Sequence, residues 1–486
     1  MRIMVMMSLL IILISLPLFG RPGPEWVETS KIQSQLRLME TWIEAQMAYR
    51  GIPGVSVGIV VDQDLIFARG FGYADPDHQI KASPQTLYRI ASITKTFTAI
   101  GIMQLRDRGK LDLNDPVTRY LPWFKIQNPF PDSIPITIWH LLTHTSGLPS
   151  EAAFPYWTDH VFPTQDQIIR TVRNQSLIYP TGTRFKYSNL GLTLAGMILE
   201  TVSRQTYQSY VQSQILDPLG MSHTFVNLKE SDKSLLAVGY SHRLPNGKRE
   251  IMPFTDSKGL TPAANISSTV EDLAIYVSLQ FRDEPVGGRQ ILKGSTLKEM
   301  QRIHWIRPSW SRGRGIGFET WPIDGRTVVG HSGWVAGYRT RLAFMPDHKI
   351  AVIVLTNSDD GEPEYMADQI LRQMTDPILE AVKKPAAVIT ASPLWNRYLG
   401  RYIDPWGYIT DVILHNGELM LNEISYPPQD QPTANLVDLT PINDTLFRMT
   451  GENGNGELLT FQMDSTGAVK QIKTGENYIY PYKTQP

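Results

Sequence analysis

Ser92-Ile93-Thr94-Lys95 opens an apolar helical stretch, and the rest of the chain is interpreted outward from it. Positions three apart lie on one face of a helix, so Ser92 and Lys95 can point into one cleft. The positive end of the helix stabilises an oxyanion and disfavours an ammonium, and burial also favours a neutral lysine. A neutral Lys95 can take the proton of a Ser92 nucleophile. The alternative is an N-cap serine followed by a solvated lysine.

The composition is that of a globular protein with a sizeable core. The chain has 486 residues, 42% hydrophobic and 19% charged, with a formal net charge of −1. This balance gives no case for nucleic-acid binding. Cysteine is absent, which excludes a thiol nucleophile, disulfides and a cysteine-ligated metal.

The N-terminus has the pattern of a targeting segment. Arg2 is followed by an apolar run from Ile3 to Phe19, as in a secretory signal with a short positive n-region. We expect residues 1–20 to be a signal peptide or an uncleaved N-terminal anchor. The protein would then be exported, periplasmic or extracellular, with possible membrane association through residues 3–19.

Hydrophobic periodicity predicts an α/β domain over residues 25–382. Strands open and close this domain, and a helix-rich region with proline-containing loops fills its middle. We therefore expect one antiparallel sheet shared by N- and C-terminal strands, flanked by helices and a helical subdomain. The predicted strands are Val55–Val61, Leu65–Ala68, Gly330–Gly333, Arg339–Met345 and Ile350–Thr356. The predicted helices include Thr29–Arg50, one from Ser92 to Gly109, one opened by a capping box at Thr269–Asp272, and Glu364–Val382.

The tail follows a different pattern. Residues 383–393 form a Pro/Ala-rich linker, and short alternating segments follow. Asn416-Gly417 between two such segments is a strong hairpin signal. We predict a small all-β barrel or sandwich over residues 394–486.

Tyr187-Ser188-Asn189 precedes an apolar segment and offers further polar groups for a serine–lysine site. A tyrosine beside a cationic lysine has a lowered pKa, so Tyr187 could exchange protons with Ser92 or the leaving group. Asn189 could hold Lys95 and donate to a substrate amide. The alternative is a loop that caps a helix, with Asn189 as the cap.

His331-Ser332-Gly333 supplies a third element. Gly330 and Gly333 bracket it on a predicted strand edge, where a ligand could approach the backbone closely. The backbone N–H groups of Ser92 and Trp334 are the candidate oxyanion donors. The alternative is a glycine-rich turn with a surface histidine.

These three motifs, in this order, resemble the serine β-lactamase and penicillin-binding protein superfamily, specifically its class C and low-molecular-weight peptidase branch. The segments Arg69–Asp75, Leu141–Leu148 and Ser268–Leu273 also resemble the family. The resemblance covers roughly residues 30 to 380. The tail resembles the lipocalin-like domain of some of these peptidases and esterases.

The resemblance implies a serine hydrolase with Ser92 as the acylated nucleophile and Lys95 and Tyr187 as the proton-transfer groups. Substrate contacts fall to Asn189, His331, Ser332 and Gly333. Dedicated class C β-lactamases carry lysine where this chain has His331, and a largely neutral histidine attracts a carboxylate less strongly. The His-x-Gly version resembles D,D-carboxypeptidases, D-aminopeptidases and some esterases.

We therefore expect hydrolysis of D-amino-acid-containing peptides or esters. The alternatives are a class C-type β-lactamase, a hydrolase of lipid or xenobiotic esters, and a non-catalytic penicillin-binding sensor. The partner would be a small peptide, ester or β-lactam, with no cofactor, and the oligomeric state stays open. A metal on His140 and His144 is not expected, because the glutamate of His-Glu-x-x-His is missing and Leu141 takes its place.

Overall fold

The computed structural model describes residues 24–283, 288–382, 392–415, 418–424, 435–451 and 453–482. The chain divides into two compact units, Met1–Val382 and Lys383–Pro486. The predicted signal or anchor over residues 1–20 lies outside the described residues, as does most of the predicted linker. Within the described ranges, no helix combines the length and the apolar character needed to cross a bilayer.

The first unit has eleven strands and thirteen α-helices in its described part. The strands are β1 Gly54–Val61, β2 Asp64–Asp75, β3 Ile80–Lys81, β4 Tyr88–Arg89, β5 Ser267–Ser268, β6 Trp305–Ile306, β7 Gly313–Arg314, β8 Glu319–Ile323, β9 Arg326–Val335, β10 Tyr338–Met345 and β11 Ile350–Thr356. The helices are α1 Ser30–Arg50, α2 Thr94–Asp107, α3 Val117–Tyr120, α4 Ile138–Leu142, α5 Tyr156–Asp159, α6 Gln165–Thr171, α7 Asn189–Ser203, α8 Tyr207–Val211, α9 Asp217–Leu219, α10 Thr261–Ala264, α11 Val270–Leu279, α12 Gly294–Gln301 and α13 Pro363–Val382.

Short helical turns complete this unit. A π-helical turn at Gln212–Leu216 joins α8 to α9. The 3₁₀ turns are Glu25–Glu28, Ala91–Ile93, Val172–Asn174, Glu230–Leu235 and Lys258–Leu260.

The main sheet has nine strands in the order β3-β2-β1-β11-β10-β9-β8-β7-β6. β1 pairs antiparallel with β11, from Val55 opposite Thr356 to Val61 opposite Ile350. The predicted antiparallel sheet shared by N- and C-terminal strands is confirmed. β2 extends well past the predicted Leu65–Ala68, because its pairing with β1 continues through Gly70 and Gly72, which have little intrinsic strand preference.

The sheet separates two hydrophobic layers, and β11 shows how. Ile350, Val352 and Val354 face the layer that contains α1 and α13. Ala351, Ile353 and Leu355 face the larger layer that contains α2, α7 and α11. Side chains alternate across a strand, so a strand covered on both faces is apolar throughout.

One predicted local feature, the capping box at Thr269–Asp272, differs in detail. Thr269 caps α11 by accepting a hydrogen bond from Asp272 N–H, but the expected reciprocal capping box does not form. The Asp272 carboxylate instead accepts from His223 N–H and the Thr224 hydroxyl. A tertiary contact therefore takes the side chain that the local motif would use.

The second unit contains a closed barrel, which confirms the predicted β-barrel. Its strands are β12 Gly400–Ile403, β13 Ile409–His415, β14 Glu418–Ile424, β15 Leu436–Pro441, β16 Leu446–Thr450, β17 Leu458–Met463, β18 Val469–Thr474 and β19 Asn477–Pro481. A 3₁₀ turn, Pro393–Tyr398, precedes them and stacks Tyr398 on Phe461 inside the barrel, with 4.1 Å between ring centroids. The predicted hairpin pairs His415 with Glu418; its turn, Asn416-Gly417, lies outside the described residues.

Phe97 links the helix that follows Ser92 to the rest of the core. Its ring is fully buried and stacks on Tyr276 of α11, with 4.1 Å between centroids. We expect Phe97→Ala to lower the free energy of unfolding by about 3–5 kcal/mol, because it removes buried area and leaves a cavity. Urea unfolding followed by circular dichroism measures this, with Tyr49→Ala as the control, since Tyr49 is 80% exposed. Equal unfolding midpoints for the two variants would contradict the expectation.

Candidate active site

Ser92 lies in the short 3₁₀ turn Ala91–Ile93, immediately before α2. Ala91 has a φ of +44°, a left-handed conformation that costs a residue with a Cβ. The turn is fixed on both sides. Ile90 N–H donates to Ile266 O at 3.0 Å, and Ile93 N–H donates to Ile90 O at 3.1 Å. Surrounding structure therefore holds a strained turn that presents the serine.

Lys95 is completely buried, and its Nζ lies 2.9 Å from Ser92 Oγ. The same nitrogen donates to Ala263 O at 2.8 Å. Burial lowers the pKa of Lys95 to about 7, against the charge of Glu151, which acts in the opposite direction. A neutral amine keeps a lone pair that can face the Ser92 hydroxyl while Ala263 O accepts one of its hydrogens. The predicted shift toward neutral Lys95 is confirmed, and the pair has the geometry of a nucleophile and its base.

Tyr187 lies against both members of this pair. Its ring centroid is 5.0 Å from Lys95 Nζ, and its hydroxyl is hydrogen-bonded to Ser92. The expectation that its pKa is lowered is wrong. Burial raises the pKa of Tyr187 above its ordinary value and outweighs the Ser92 hydrogen bond and the charge of Arg314. At neutral pH the phenol is therefore protonated and suited to donate a proton.

Ser188, not Asn189, caps α7, since its hydroxyl oxygen accepts from Gly191 N–H at 2.9 Å. Asn189 is the first residue of the helix, and its Nδ2 donates to Glu151 Oε1 at 2.7 Å. The expected contact with Lys95 is absent among the described residues, because Asn189 Oδ1 is buried without a partner. One hydrogen of Nδ2 is committed to Glu151, and the donation to a substrate amide stays a prediction.

His331 lies on β9 and is only 5% exposed. Its Nδ1–H donates to Ser332 O at 2.6 Å, since the carbonyl can only accept. Burial, reinforced by the positive charges of Lys95 and Arg314, lowers the pKa of His331 to about 3. Its ring lies 6.3 Å from that of Tyr187. A neutral imidazole, whose Nε2 is an acceptor, therefore lies near the tyrosine.

Beside His331, the Ser332 hydroxyl oxygen accepts from Arg341 Nη1 at 2.6 Å. Arg341 is buried and pairs with Glu319, as do Arg312 and Arg314. Burial alone would raise the pKa of Glu319, but the three arginines outweigh it and lower that pKa to about 2. Three guanidinium groups thus surround the Glu319 carboxylate, while Asp368 and Glu364 also act on Arg341 from farther away.

Gly333 is required for close packing. A Cβ at this position would overlap Ile90 O and Thr340 Oγ1. β9 pairs with β10 through Gly333, whereas β8 pairs only with Arg326–Gly330, so Gly333 lies at an open edge of its strand, as predicted. The glycine lets the strand lie directly against the turn that carries Ser92. The backbone N–H groups of Ser92 and Trp334 are brought into this region, and their role as oxyanion donors stays a prediction.

The structure adds charged groups that spacing in the sequence did not single out. Glu151, Arg314, Glu319 and Arg341 all influence the site. Glu151 comes from the helical region, whereas Arg314, Glu319 and Arg341 lie on β7, β8 and β10, so only the tertiary fold brings them together. The buried histidine His144 follows α4 with a φ of +58°, and its Nδ1 accepts from Ser188 N–H at 3.1 Å.

His140 and His144 do not share a helix face, because α4 ends at Leu142. His140 Nδ1 instead bonds Thr137 at the start of that helix. Among the residues that the structure describes, no group of three or more His, Cys, Asp or Glu side chains could hold a metal ion.

The chain is similar in sequence to a known protein family and to individual members of it. The family model described as "Beta-lactamase" matches residues 39–375. Protein flp of Staphylococcus aureus (strain MRSA252) is 30% identical over 348 residues, which cover 72% of this chain and 67% of that protein. Penicillin-binding protein 4* of Bacillus subtilis (strain 168) is 28% identical over 382 residues, 74% of this chain and 81% of that protein.

A solved structure is similar over a greater length. The octameric penicillin-binding protein homologue from Pyrococcus abyssi has a TM-score of 0.62 and 29% identity, and covers 91% of this chain and 99% of its own. The 91% of this chain that is covered is more than residues 1–382 contain. The similarity therefore includes part of the C-terminal unit.

The pKa of Lys95 predicts the pH dependence of turnover. The neutral amine is the base, so kcat/KM for an uncharged ester should rise as Lys95 loses its proton near pH 7 and level off above it. His331, with a pKa of about 3, does not titrate in this range. Rates between pH 5 and 9 measure this, with Lys95→Arg as the control that keeps a permanent charge. A flat profile in the active protein would rule out Lys95 as the titrating base.

Gly333→Ala should separate β9 from the Ser92 turn. We expect a loss of about 1–3 kcal/mol in stability and a large fall in turnover, because the new Cβ must displace backbone. Gly191→Ala is the matched control, since it also lies beside the site but its Cβ would make only ordinary contacts, with Ser188 at 3.4 Å and Leu141 O at 3.8 Å. Thermal unfolding and ester hydrolysis on both variants decide the matter. A fully active Gly333→Ala protein would show that the close approach is not needed.

Proposed function

The chain belongs to the beta-lactamase family and is a serine hydrolase of the β-lactamase and penicillin-binding protein superfamily; from that premise we propose that it is exported and hydrolyses D-amino-acid-containing peptides or esters through an acyl-enzyme on Ser92. The observation that carries the proposal is Lys95 Nζ at 2.9 Å from Ser92 Oγ in a fully buried position. The apolar run Ile3–Phe19 after Arg2 supports export.

The chemistry is acyl transfer in two balanced steps. Ser92 Oγ attacks the substrate carbonyl, and its proton passes to Lys95 as the tetrahedral oxyanion forms. The bond to the leaving amine or alcohol then breaks, and the protonated Tyr187–Lys95 pair returns the proton to the departing atom. Water attacks the acyl carbonyl in the second step, which releases the acid and restores the Ser92 hydroxyl.

His331 supports a substrate that needs no carboxylate at this position. The imidazole is buried and neutral, with Nδ1–H committed to Ser332 O. A specialised β-lactamase of the class C type uses a lysine cation there, so the neutral ring favours peptides and esters. β-Lactam hydrolysis is the second candidate, because Arg341 beside Ser332 keeps a positive charge near the same wall of the site.

The direct test is the intact mass of protein lacking residues 1–20, followed over time with benzylpenicillin and, separately, with a D-alanyl ester. We expect an adduct at Ser92 with each reagent, slow to release with penicillin and fast with the ester. Ser92→Ala should give none, because only the nucleophile is lost. Rapid release of hydrolysed penicillin would favour the β-lactamase candidate. A stable adduct without turnover of any ester or amide would favour a sensor. Labelling of Ser92→Ala would overturn the proposed nucleophile.

A further inference from the structure

Two tryptophans face each other from opposite walls of the site. Trp157 comes from α5, and Trp334 comes from β9, directly after the His331–Gly333 motif. Their rings are nearly parallel, with an interplanar angle of 10° and 6.5 Å between centroids. Trp157 is 45% exposed and Trp334 is 58% exposed. We call them the tryptophan pair.

Both rings are held in place from behind. Trp334 Nε1–H donates to Asp359 Oδ1 at 3.2 Å, and the same oxygen accepts from Gly337 N–H at 2.8 Å. Trp157 packs against Tyr156 and Phe162, each with 5.5 Å between ring centroids. Aromatic groups fixed in this way lose little conformational entropy when they bind a ligand.

The pair is linked to the predicted site residues through chain neighbours and their hydrogen bonds. The Tyr156 hydroxyl donates to Glu151, and Glu151 accepts from Asn189 Nδ2 at 2.7 Å. On the other wall, the backbone of Trp334 follows Gly333, which lies against Ile90 of the Ser92 turn. Trp157 is thus linked to Asn189 through Tyr156 and Glu151. Trp334 is linked to the Ser92 turn through Gly333 and Ile90.

We propose that the tryptophan pair is the binding site for an aromatic ring carried by the acyl part of the substrate; this proposal rests on the proposed function and specifies its substrate class. The acyl carbonyl oxygen would lie at the Trp334 N–H both during attack and in the acyl-enzyme. The group that stays beside Trp334 throughout the reaction is therefore the acyl group, not the leaving group.

The exposure of the rings favours recognition over a role in folding. The core aromatics of this unit, such as Phe97 and Tyr276, are fully buried, whereas both members of the pair keep about half of their surface in solvent. A ligand ring stacked on either indole would cover this apolar area and gain the offset-stacking preference of aromatic pairs.

The experiment compares three esters with one leaving group, p-nitrophenol: 3-phenylpropionyl, 3-cyclohexylpropionyl and butanoyl. We expect kcat/KM of the phenyl ester to exceed that of the cyclohexyl ester about tenfold, since stacking favours the flat ring. Trp157→Leu and Trp334→Leu should each bring this ratio close to one, mainly through KM, with no further loss in the double variant. Trp334→Phe should restore part of the preference.

Trp42→Leu is the matched control, because Trp42 also belongs to an aromatic pair, with Tyr365 at 6.0 Å, but lies on α1. It should leave both the ratio and the rates unchanged. An unaltered phenyl preference in both pair variants, or no phenyl preference in the unmodified protein, would overturn the proposal.

Binding to Ser92→Ala separates this proposal from the proposed function. Titration calorimetry with N-methyl-3-phenylpropionamide needs no turnover. Binding that weakens about tenfold in Ser92→Ala/Trp157→Leu supports the pair even if no ester is hydrolysed. Equal affinity for the cyclohexyl amide, or no binding to Ser92→Ala at millimolar concentration, counts against the pair even if Ser92 proves to be the nucleophile.

Discussion

The removal of the Lys95 amine from water is the constraint on which the site depends. A fully buried ammonium is costly, so the side chain loses its proton near neutrality. The neutral nitrogen then needs partners, which are Ala263 O and Ser92 Oγ. Because α10 supplies the first and the strained turn before α2 supplies the second, the packing of the helical layer sets the basicity of one nitrogen.

The sheet contributes the opposite wall and determines how closely it approaches. Gly333 allows β9 to lie against Ile90, and Thr340 Oγ1 donates to the same carbonyl at 3.3 Å. Three arginines around Glu319 stabilise this wall electrostatically while Ser332 is held by Arg341. The turn that carries Ser92 is therefore fixed between a helical layer, which lowers the pKa of Lys95, and a charged sheet, which can stabilise an oxyanion.

Features encoded locally could be predicted from the sequence. The period of apolar residues placed α1, β11 and α13 to within a residue or two, and the Ser92–Lys95 spacing predicted their contact. Features that arise from tertiary contacts could not be predicted in this way. The pKa of Tyr187 is raised because the phenol is buried, and Asn189 bonds Glu151 because α7 meets a distant loop. The left-handed Ala91 has no local signal, since alanine has no intrinsic preference for that conformation.

The electrostatics of the site bear on what it selects. Above neutral pH both Lys95 and His331 lack charge, so these two motif residues present a lone pair and a neutral ring. The permanent charges, Arg314 and Arg341, are buried one layer further out and paired with Glu319. Such a site favours the negative charge that develops on a carbonyl oxygen during the reaction over a charge that the bound substrate already carries. Interactions that are stronger in the transition state than in the ground state are the ones that accelerate a reaction. Recognition of the ground state then falls to uncharged surfaces, such as the half-exposed indole rings of Trp157 and Trp334.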